Sequence, residues 1–476
     1  SRRLEAQRSS RPTPDACCNS ARARLGSVPI SKSIISLISS TAPIARPNSR
    51  SAMIITVDQL MHRLQSGLGP DAVSAETGAL ASHRIDGLTP HLVTKPASAE
   101  QLGAVLSACS EARATVIPWG GGTAMALGNP PRRADVVIGL EKLNRVIEHD
   151  SANLTVSAQC GLTLNALQSA LAAQRQFVPI DAPLPARATL GGIVSANLNG
   201  PRRSCYGSVR DLVIGMKVIL ASGESIKAGG KVVKNVAGYD MCKLLVGSLG
   251  TLGIIAEVTL RVAPIAESSA TVIGRGTLAE AQRFIEEISR SPLLPAAVFL
   301  LRAGTQEDWR VAVGCDGFAE TVERHLRELQ NIAARIGMKP EVASGESDIE
   351  LWEQLRDFPL QPDRLVYRVA LPRAAIFDFI DRVKGWNSTK TVSDAAMGTI
   401  WLAFPANKAT VARFPEIEAM ARERRGHSVV FAAPAALKTA VNVWGPSPPT
   451  LSLMRAIKRQ FDPNELLNPG RFLGGI

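Results

Sequence analysis

The sequence predicts an α+β protein with two domains, and three observations support this fold class. Within residues 181–263, glycine-rich clusters alternate with β-branched runs, as in strands that end beside a ligand. From Leu92 onwards, short strands alternate with helices, which is typical of an α/β domain. Beyond Pro264, amphipathic helices are interspersed with apolar strands. We therefore expect a ligand-binding domain over 53–266 and an α+β domain over 267–476.

The composition is that of an ordinary globular protein. Its 476 residues are 45% hydrophobic and 20% charged, which suffices for two or three domains with separate cores. The formal net charge is +12, but residues 1–52 carry more than half of it. Elsewhere no stripe of Lys and Arg is present, which argues against nucleic-acid binding. No run of about eighteen apolar residues occurs, so we expect no transmembrane segment.

Residues 1–52 differ in character from the rest of the chain. They are rich in Ser and Arg and are interrupted by five prolines. Such a segment buries too little apolar surface to fold, so we expect it to be a disordered extension. Two origins remain open. The segment resembles an organellar targeting sequence, or it is translated from upstream of a true start at Met53.

The seven cysteines do not form a metal-binding pattern. Cys17 and Cys18 are the only close neighbours, and no C-x-x-C pair occurs. Neither an iron–sulfur cluster nor a structural zinc site is therefore encoded locally, and we predict no metal site. Scattered cysteines in a chain of this length suit a reducing cytoplasm.

The first domain begins with a regular alternation of elements. Residues 92–94 form a predicted strand that Pro96 stops, and Ser98 with Gln101 forms a capping-box pattern for a helix to about Ala112. We expect further strands at 115–118, 135–138 and 154–158, and a helix over 162–174.

A glycine loop at 120–122 directly follows one of these strands. It lacks the Gly-x-Gly-x-x-Gly spacing, because Met125 stands where the third glycine should be, and it lacks the Lys of a P-loop. Such a loop still presents backbone N–H groups that can hold a pyrophosphate. An ordinary set of turns remains the alternative.

A family resemblance rests on motifs that occur in combination: Pro118–Thr123, Thr189–Gly192, Tyr206–Asp211 and Gly250–Ile255. Together they resemble the PCMH-type FAD-binding domain of the vanillyl-alcohol oxidase superfamily. Within it, Lys231–Asp240 resembles the glycolate oxidase subunits, and the chain is most similar to their FAD-binding subunit. Leu249 departs from the acidic residue that is usual in the catalytic-type subunit.

The resemblance implies an FAD site with its pyrophosphate held by the loop at 119–123. It implies that the turn at 189–192 and Asn197 follow the flavin and ribityl side, and that Gly253 is near the adenine. No histidine stands in the glycine loop, so we expect FAD to be bound non-covalently. The cofactor-binding residues implied are Pro118, Trp119, Gly120, Gly121, Gly122, Thr123, Thr189, Leu190, Gly191, Gly192, Asn197, Tyr206, Gly207, Arg210, Asp211, Gly250, Gly253, Ile254 and Ile255.

The second domain resembles the FAD-linked oxidase C-terminal domain, which covers the substrate. We expect helices over 281–291 and 319–336, and strands at 297–301, 311–313, 365–371, 399–404 and 428–432. The motifs at 461–464 and 467–471 resemble the family's terminal segment, which folds back onto the flavin domain. A simple Pro/Gly-capped tail is the alternative.

Two arginines are candidates for binding a substrate carboxylate. Arg356 and Arg368 match positions at which related 2-hydroxy-acid dehydrogenases carry cationic residues, and guanidinium groups suit a carboxylate. They could equally be surface arginines. The histidines that bind a divalent metal in those relatives are missing, since only His325 and His427 lie beyond residue 260. The subunit could therefore hold FAD without oxidising substrate alone.

The resemblance implies the FAD-binding subunit of a glycolate oxidase complex, which oxidises glycolate to glyoxylate. The implied partners are a homologous catalytic flavin subunit and a separate iron–sulfur subunit. The complex would be cytoplasmic, with any membrane association made through the complex. Two alternatives stay open: a stand-alone FAD-dependent enzyme for another 2-hydroxy acid or alcohol, and a non-catalytic structural subunit.

Overall fold

The computed structural model describes residues 54–230, 239–302, 308–361, 363–386 and 389–476. The extension at 1–52 and most of the Lys231–Asp240 motif lie outside the described residues. Within those ranges, no helix combines the length and apolar character needed to cross a bilayer.

The first half contains a four-stranded sheet in the order β1-β2-β4-β3 and a five-stranded antiparallel sheet in the order β5-β6-β10-β8-β9. Its strands are β1 (Val73–Ser74), β2 (Leu92–Thr94), β3 (Val116–Trp119), β4 (Val136–Gly139), β5 (Val146–Asp150), β6 (Thr155–Gln159), β7 (Gln176–Phe177), β8 (Val213–Ile219), β9 (Ser225–Gly229), β10 (Ile254–Arg261) and β11 (Ala263–Pro264). Its helices are α1 (Val57–Leu68), α2 (Thr77–Ser82), α3 (Ala99–Ala112), α4 (Leu164–Ala172), α5 (Leu190–Ala196), α6 (Arg203–Tyr206), α7 (Val209–Leu212) and α8 (Cys242–Leu245).

Parallel pairing in the four-stranded sheet places the glycine loop at the carboxyl end of β3. β4 pairs in parallel with both β2 and β3. Helix α3 begins at the predicted place, where Ser98 Oγ accepts the Gln101 N–H at 3.2 Å. The Gln101 side chain accepts instead from Ala97 N–H, so only the Ser98 half of the capping box forms.

The second half is built on one eight-stranded antiparallel sheet in the order β15-β12-β14-β13-β17-β18-β16-β19. Its strands are β12 (Ser268–Gly276), β13 (Ala297–Arg302), β14 (Trp309–Gly317), β15 (Lys339–Ser344), β16 (Arg364–Ala370), β17 (Lys390–Asp394), β18 (Thr399–Pro405) and β19 (His427–Ala432). Its helices are α9 (Leu278–Arg290), α10 (Ala319–Ile336), α11 (Glu346–Asp357), α12 (Ile376–Val383), α13 (Lys408–Val411), α14 (Phe414–Glu423), α15 (Ala435–Lys438) and α16 (Leu451–Phe461). The helix predicted at 319–336 is confirmed at both ends.

The two faces of this sheet pack against different cores, because alternate residues of a strand point to opposite sides. Leu300, Tyr367 and Leu402 share one core with apolar residues of α9, α10, α12 and α14. On the other face, Val366 and Val392 belong to the core of the first half. We call this second face the inner face. It lies against the half that carries the glycine clusters.

The chain ends by returning to the first half, as the terminal motif predicts. Leu467 forms a parallel bridge with Val116 of β3. Val116 N–H donates to the Leu466 carbonyl at 2.8 Å, and Asn468 N–H donates to the Val116 carbonyl at 2.9 Å. The residues after α16 therefore continue the sheet edge that leads into the glycine loop.

Candidate functional site

The glycine turns meet in one cleft of about 670 Å³, including its open mouth. The loop after β3 forms one wall, the start of α5 forms another, and the turn before β10 forms the third. The lining residues are Pro118, Gly120, Gly121, Gly122, Thr123, Ala124, Met125, Leu140, Thr189, Gly191, Gly192, Ser195, Ala196, Leu249, Gly250, Gly253, Ile254, Ile255, Asn468 and Arg471.

The glycines of the loop are required by close backbone approach. A Cβ on Gly120 would lie 2.1 Å from Thr189 Oγ1, and a Cβ on Gly121 would lie 1.6 Å from the Arg187 carbonyl oxygen. Gly122 adopts φ of 73°, in the left-handed region. The loop backbone thus packs directly against residues 187–189, with no side chain between the two segments. Successive backbone N–H groups in such a loop can bind an anion.

Three polar side chains that line the cleft keep buried atoms without a hydrogen-bond partner. These atoms are Thr189 Oγ1, Asn468 Oδ1 and Arg471 Nε. Buried polar groups are normally paired, so the three atoms indicate a missing polar ligand. Arg471 Nη2 donates to the carbonyls of Met125 and Leu127 at 2.7 and 2.8 Å. Burial lowers the pKa of Arg471 to about 10, so it stays a cation at neutral pH.

Two further buried cations from the C-terminal segment hold the cleft loops. Lys458 Nζ donates to the Thr251 carbonyl at 2.7 Å and pairs with Asp462 at 2.6 Å. Lys438 Nζ donates to the Ala126 carbonyl and pairs with Asp86 at 2.9 Å. Burial lowers the pKa of both lysines, and the paired carboxylates act in the opposite direction.

Of the nineteen predicted cofactor residues, twelve line the cleft: Pro118, Gly120, Gly121, Gly122, Thr123, Thr189, Gly191, Gly192, Gly250, Gly253, Ile254 and Ile255. The other seven are placed elsewhere. The Trp119 ring packs on His83 at 4.9 Å, and Leu190 is buried in the core. Asn197 ends α5 in a left-handed conformation.

The remaining predicted residues organise the segment around α6. Gly207 ends α6 with φ of 89°. Asp211 caps α7 by accepting from the Ser208 hydroxyl at 2.6 Å. Arg210 is exposed, and Tyr206 lines a separate cavity together with Arg202. Their roles in FAD binding stay predictions.

Sequence reasoning missed eight lining residues: Ala124, Met125, Leu140, Ser195, Ala196, Leu249, Asn468 and Arg471. Asn468 and Arg471 could have been predicted, because they belong to the terminal motif that is expected to fold back onto the flavin domain. The others are apolar or small side chains, which have no distinctive pattern in a sequence.

Arg356 lies in a cavity apart from the cleft, and its charge is already paired. Its guanidinium contacts Asp357 at 2.9 Å and Glu353 at 3.3 Å. Hydrogen bonding from Asp357 raises the pKa of Arg356. The cavity also contains Asp316 and Arg202, and its lining shares no residue with the FAD cleft.

Arg368 lies on the inner face of the large sheet and is half-buried. Its guanidinium sits 5.9 Å from the centre of the Phe431 ring. Burial lowers the pKa of Arg368, and the positive charge of Arg203 lowers it further. The structure thus brings Arg368 together with Arg203. Arg368 lines neither the cavity that contains Arg356 nor the FAD cleft.

Metal-binding side chains are not clustered. Across the described ranges, no group of three or more His, Cys, Asp or Glu residues is arranged to hold a metal ion.

Comparison with known proteins connects this geometry to a family. Residues 90–229 match the FAD binding domain family, and residues 437–472 match the C-terminal domain of FAD linked oxidases. Glycolate oxidase subunit GlcE of Escherichia coli is 30% identical over 333 residues, which cover 68% of this chain and 84% of that protein. Glycolate oxidase subunit GlcD of Bacillus subtilis is 28% identical, with 80% and 88% covered.

Two more distant similarities concern a partial relative and the fold. A D-lactate dehydrogenase of Anaerostipes hadrus is 38% identical over 184 residues, 39% of this chain and 38% of that protein. The structure of p-cresol methylhydroxylase with bound substrate superposes with a TM-score of 0.67 at 16% identity, covering 87% of this chain and 96% of that chain. The latter shows a shared PCMH-type fold.

The cleft fits FAD on its own chemistry. A loop of successive backbone N–H groups suits a pyrophosphate, and Arg471 supplies a buried positive charge beside two other unsatisfied polar side chains. The matched FAD-binding region contains the glycine loop and the turn at 189–192, and the matched C-terminal region contains Arg471. The chain belongs to the family of FAD-linked oxidases that includes the glycolate oxidase subunits, and it is an FAD-dependent oxidoreductase.

Proposed function

We propose that the chain is the FAD-binding subunit of a glycolate oxidase, and that it takes part in oxidising glycolate to glyoxylate. The observation that carries this proposal is an FAD cleft in the first half together with a half-buried cation, Arg368, on the sheet face that packs against that half. The similarity to two glycolate oxidase subunits over most of their lengths supports the substrate class.

The oxidation of a 2-hydroxy acid requires a cation, a proton acceptor and an oxidant in such a site. Its carboxylate needs a cation, and its hydroxyl proton needs an acceptor. Bound FAD supplies the two-electron oxidant. The residues of this chain would bind the carboxylate, orient the carbon that loses hydrogen and receive the hydroxyl proton. Arg368 would supply the cation. Arg356, the other arginine that the sequence predicts, is already paired with Asp357 and Glu353.

We propose that the electrons leave through partner subunits. A homologous catalytic flavin subunit and a separate iron–sulfur subunit are the partners that the family resemblance implies. We also propose a cytoplasmic location, with any membrane contact made through the complex. The five described cysteines are free thiols, which is compatible with a reducing compartment.

The test is the visible spectrum of the purified full chain under anaerobic conditions. We expect a yellow protein that retains FAD through gel filtration and releases it on denaturation. Bleaching by glycolate would make this subunit competent on its own. A spectrum that changes only when the partner subunits are added would assign the oxidation to the complex. A protein that takes up no FAD would overturn the proposal and favour a structural subunit.

A second candidate is a stand-alone dehydrogenase for another 2-hydroxy acid such as D-lactate. It is favoured by the similarity to a D-lactate dehydrogenase within the matched region. The same anaerobic titration separates the two, because D-lactate would then bleach the flavin at lower concentration than glycolate and without partners.

A further inference from the structure

We infer that Arg203 and Arg368 together form the carboxylate-binding site, and that Asp394 accepts the hydroxyl proton of the substrate. This inference rests on the proposed function, because it assigns residues to the oxidation of a 2-hydroxy acid. It adds two residues, Arg203 and Asp394, that the sequence motifs do not indicate.

Strand register places Arg368 and Asp394 on the same face. Arg368 of β16 pairs with Trp401 of β18, and Trp401 pairs with Val392 of β17. Asp394 lies two residues beyond Val392 on the same strand, so both side chains leave the sheet on one side. Because Val392 and Trp401 pack against the core of the first half, this side is the inner face.

Arg203 reaches the inner face from the first half. It begins α6, and the neighbouring Ser204 hydroxyl donates to the Ala296 carbonyl, just before β13, at 3.0 Å. In β13, Phe299 is the cross-strand partner of Asp394. The charge of Arg203 acts on both Asp394 and Arg368, lowering the pKa of each. Arg203 is therefore within electrostatic reach of both.

Two guanidinium groups in this position lack a carboxylate partner. Among the described residues, neither Arg203 nor Arg368 forms a salt bridge or a side-chain hydrogen bond, whereas Arg356 is paired twice. Like charges that act on each other without a direct ion-pair partner are unfavourable when half-buried. An anionic ligand would relieve this repulsion, and a carboxylate matches the geometry of a guanidinium.

Asp394 has the environment of a proton acceptor. It is buried at the end of β17, and Oδ1 accepts the Met397 N–H at 3.1 Å. Burial raises the pKa of Asp394 to about 7, against the opposing effect of Arg203. Elsewhere on the sheet, burial lowers the pKa of His427, and the charge of Arg368 lowers it further.

The proposed step balances in protons and electrons. The O–H bond of the substrate breaks, its proton goes to the Asp394 carboxylate, and its electron pair forms the new C=O bond. The hydrogen on the adjacent carbon leaves with two electrons, and FAD, when bound, would supply the two-electron oxidant. Arg203 and Arg368 hold the carboxylate and do not change protonation state.

The experiment is a titration of the FAD-loaded full chain with oxalate. Binding is measured by calorimetry and by the change in flavin absorbance. Oxalate carries carboxylates but has no C–H bond to oxidise. We expect Arg203→Gln and Arg368→Gln each to weaken oxalate binding by about tenfold or more. Arg310→Gln, which removes an exposed arginine of the same sheet, is the matched control and should leave binding unchanged.

Two results would overturn the carboxylate site. One is unchanged oxalate binding in both variants while they retain FAD. The other is loss of binding in Arg356→Gln alone. Because oxalate binding requires no turnover, this part remains testable if glycolate is not oxidised, and so its failure is distinguishable from failure of the proposed function.

Asp394→Asn tests the proton acceptor separately. We expect it to keep oxalate binding and to slow flavin reduction by glycolate about 100-fold or more, with loss of the rate increase near pH 7. Reduction that stays fast in Asp394→Asn would exclude the role. If wild-type protein is not reduced by glycolate even with its partners, the proposed function fails, while the oxalate result stands by itself.

Discussion

The FAD cleft and the inner face of the large sheet are built in opposite ways. The cleft is made mostly of backbone from three glycine turns, and its cation, Arg471, is held by two carbonyl groups. The inner face is made of side chains from several strands, and its cations have no such partners among the described residues. The first region is organised before its ligand arrives. The second still needs an anion to complete it.

The largest effect should come from the buried ion pair that holds the cleft. Lys458→Met would leave the Asp462 carboxylate buried and unpaired, although Asp462 still accepts the Leu466 and Leu467 N–H groups. We expect a loss of about 3–5 kcal/mol in the free energy of unfolding, measured by chemical denaturation. The double variant Lys458→Met/Asp462→Asn should recover part of it.

The control for this pair lies close by. Arg132→Met removes an exposed ion pair with Glu465, which should cost less than about 1 kcal/mol. Equal losses in Lys458→Met and Arg132→Met would mean that burial of the ion pair does not matter for this region.

A smaller effect, a loss of FAD affinity, should follow from adding a side chain to a glycine of the loop. Gly121→Ala places a Cβ against the Arg187 carbonyl, so the loop must shift. We expect FAD to bind on the order of 100-fold more weakly, or about 2.7 kcal/mol, in a fluorescence titration of the apoprotein. Gly67→Ala is the control, since its Cβ meets nothing within 4 Å. Unchanged affinity in Gly121→Ala would argue that the loop does not contact FAD.

The same contrast explains what could be predicted from the sequence. Glycine turns are contiguous in sequence, so Gly120–Gly122 and Gly191–Gly192 could be predicted as cofactor residues, and they line the cleft. Helix and strand positions followed from periodicity, and the 319–336 helix was located at both ends. Arg203 and Asp394 could not be found this way, because their proximity depends on the order β13-β17-β18-β16. Local patterns predict strands, but they do not predict which strands pair.

A variant of Arg471 tests how much its charge contributes to FAD binding, separately from the shape of the backbone in the cleft. Arg471→Met keeps much of the side-chain volume and removes the buried charge and two hydrogen bonds. We expect FAD affinity to fall about 10-fold to 30-fold, because a hydrogen bond to a charged group contributes about 1.5–3 kcal/mol net. Arg455→Met, which removes an exposed arginine of α16, should have no effect on the same titration. If FAD affinity falls as much as in Gly121→Ala, the charge of Arg471 contributes as much to FAD binding as the backbone of the loop does.

A further effect concerns how pH changes the free energy of unfolding through Asp394. Burial raises the pKa of Asp394 to about 7 in the folded protein, from its ordinary value of 3.8. Between these values the folded state holds a proton that the unfolded state has lost, so wild-type stability falls as pH rises, by up to about 1.4 kcal/mol per pH unit. Asp394→Asn stays neutral, so the difference in its free energy of unfolding from wild type should be more favourable at pH 8 than at pH 5. The exposed Asp381→Asn is the control, and its difference from wild type should change less between the two pH values. Guanidinium denaturation at both pH values measures this. An equal difference at pH 5 and pH 8 would mean that Asp394 ionises freely, and that the inner face already neutralises its own charges without a ligand.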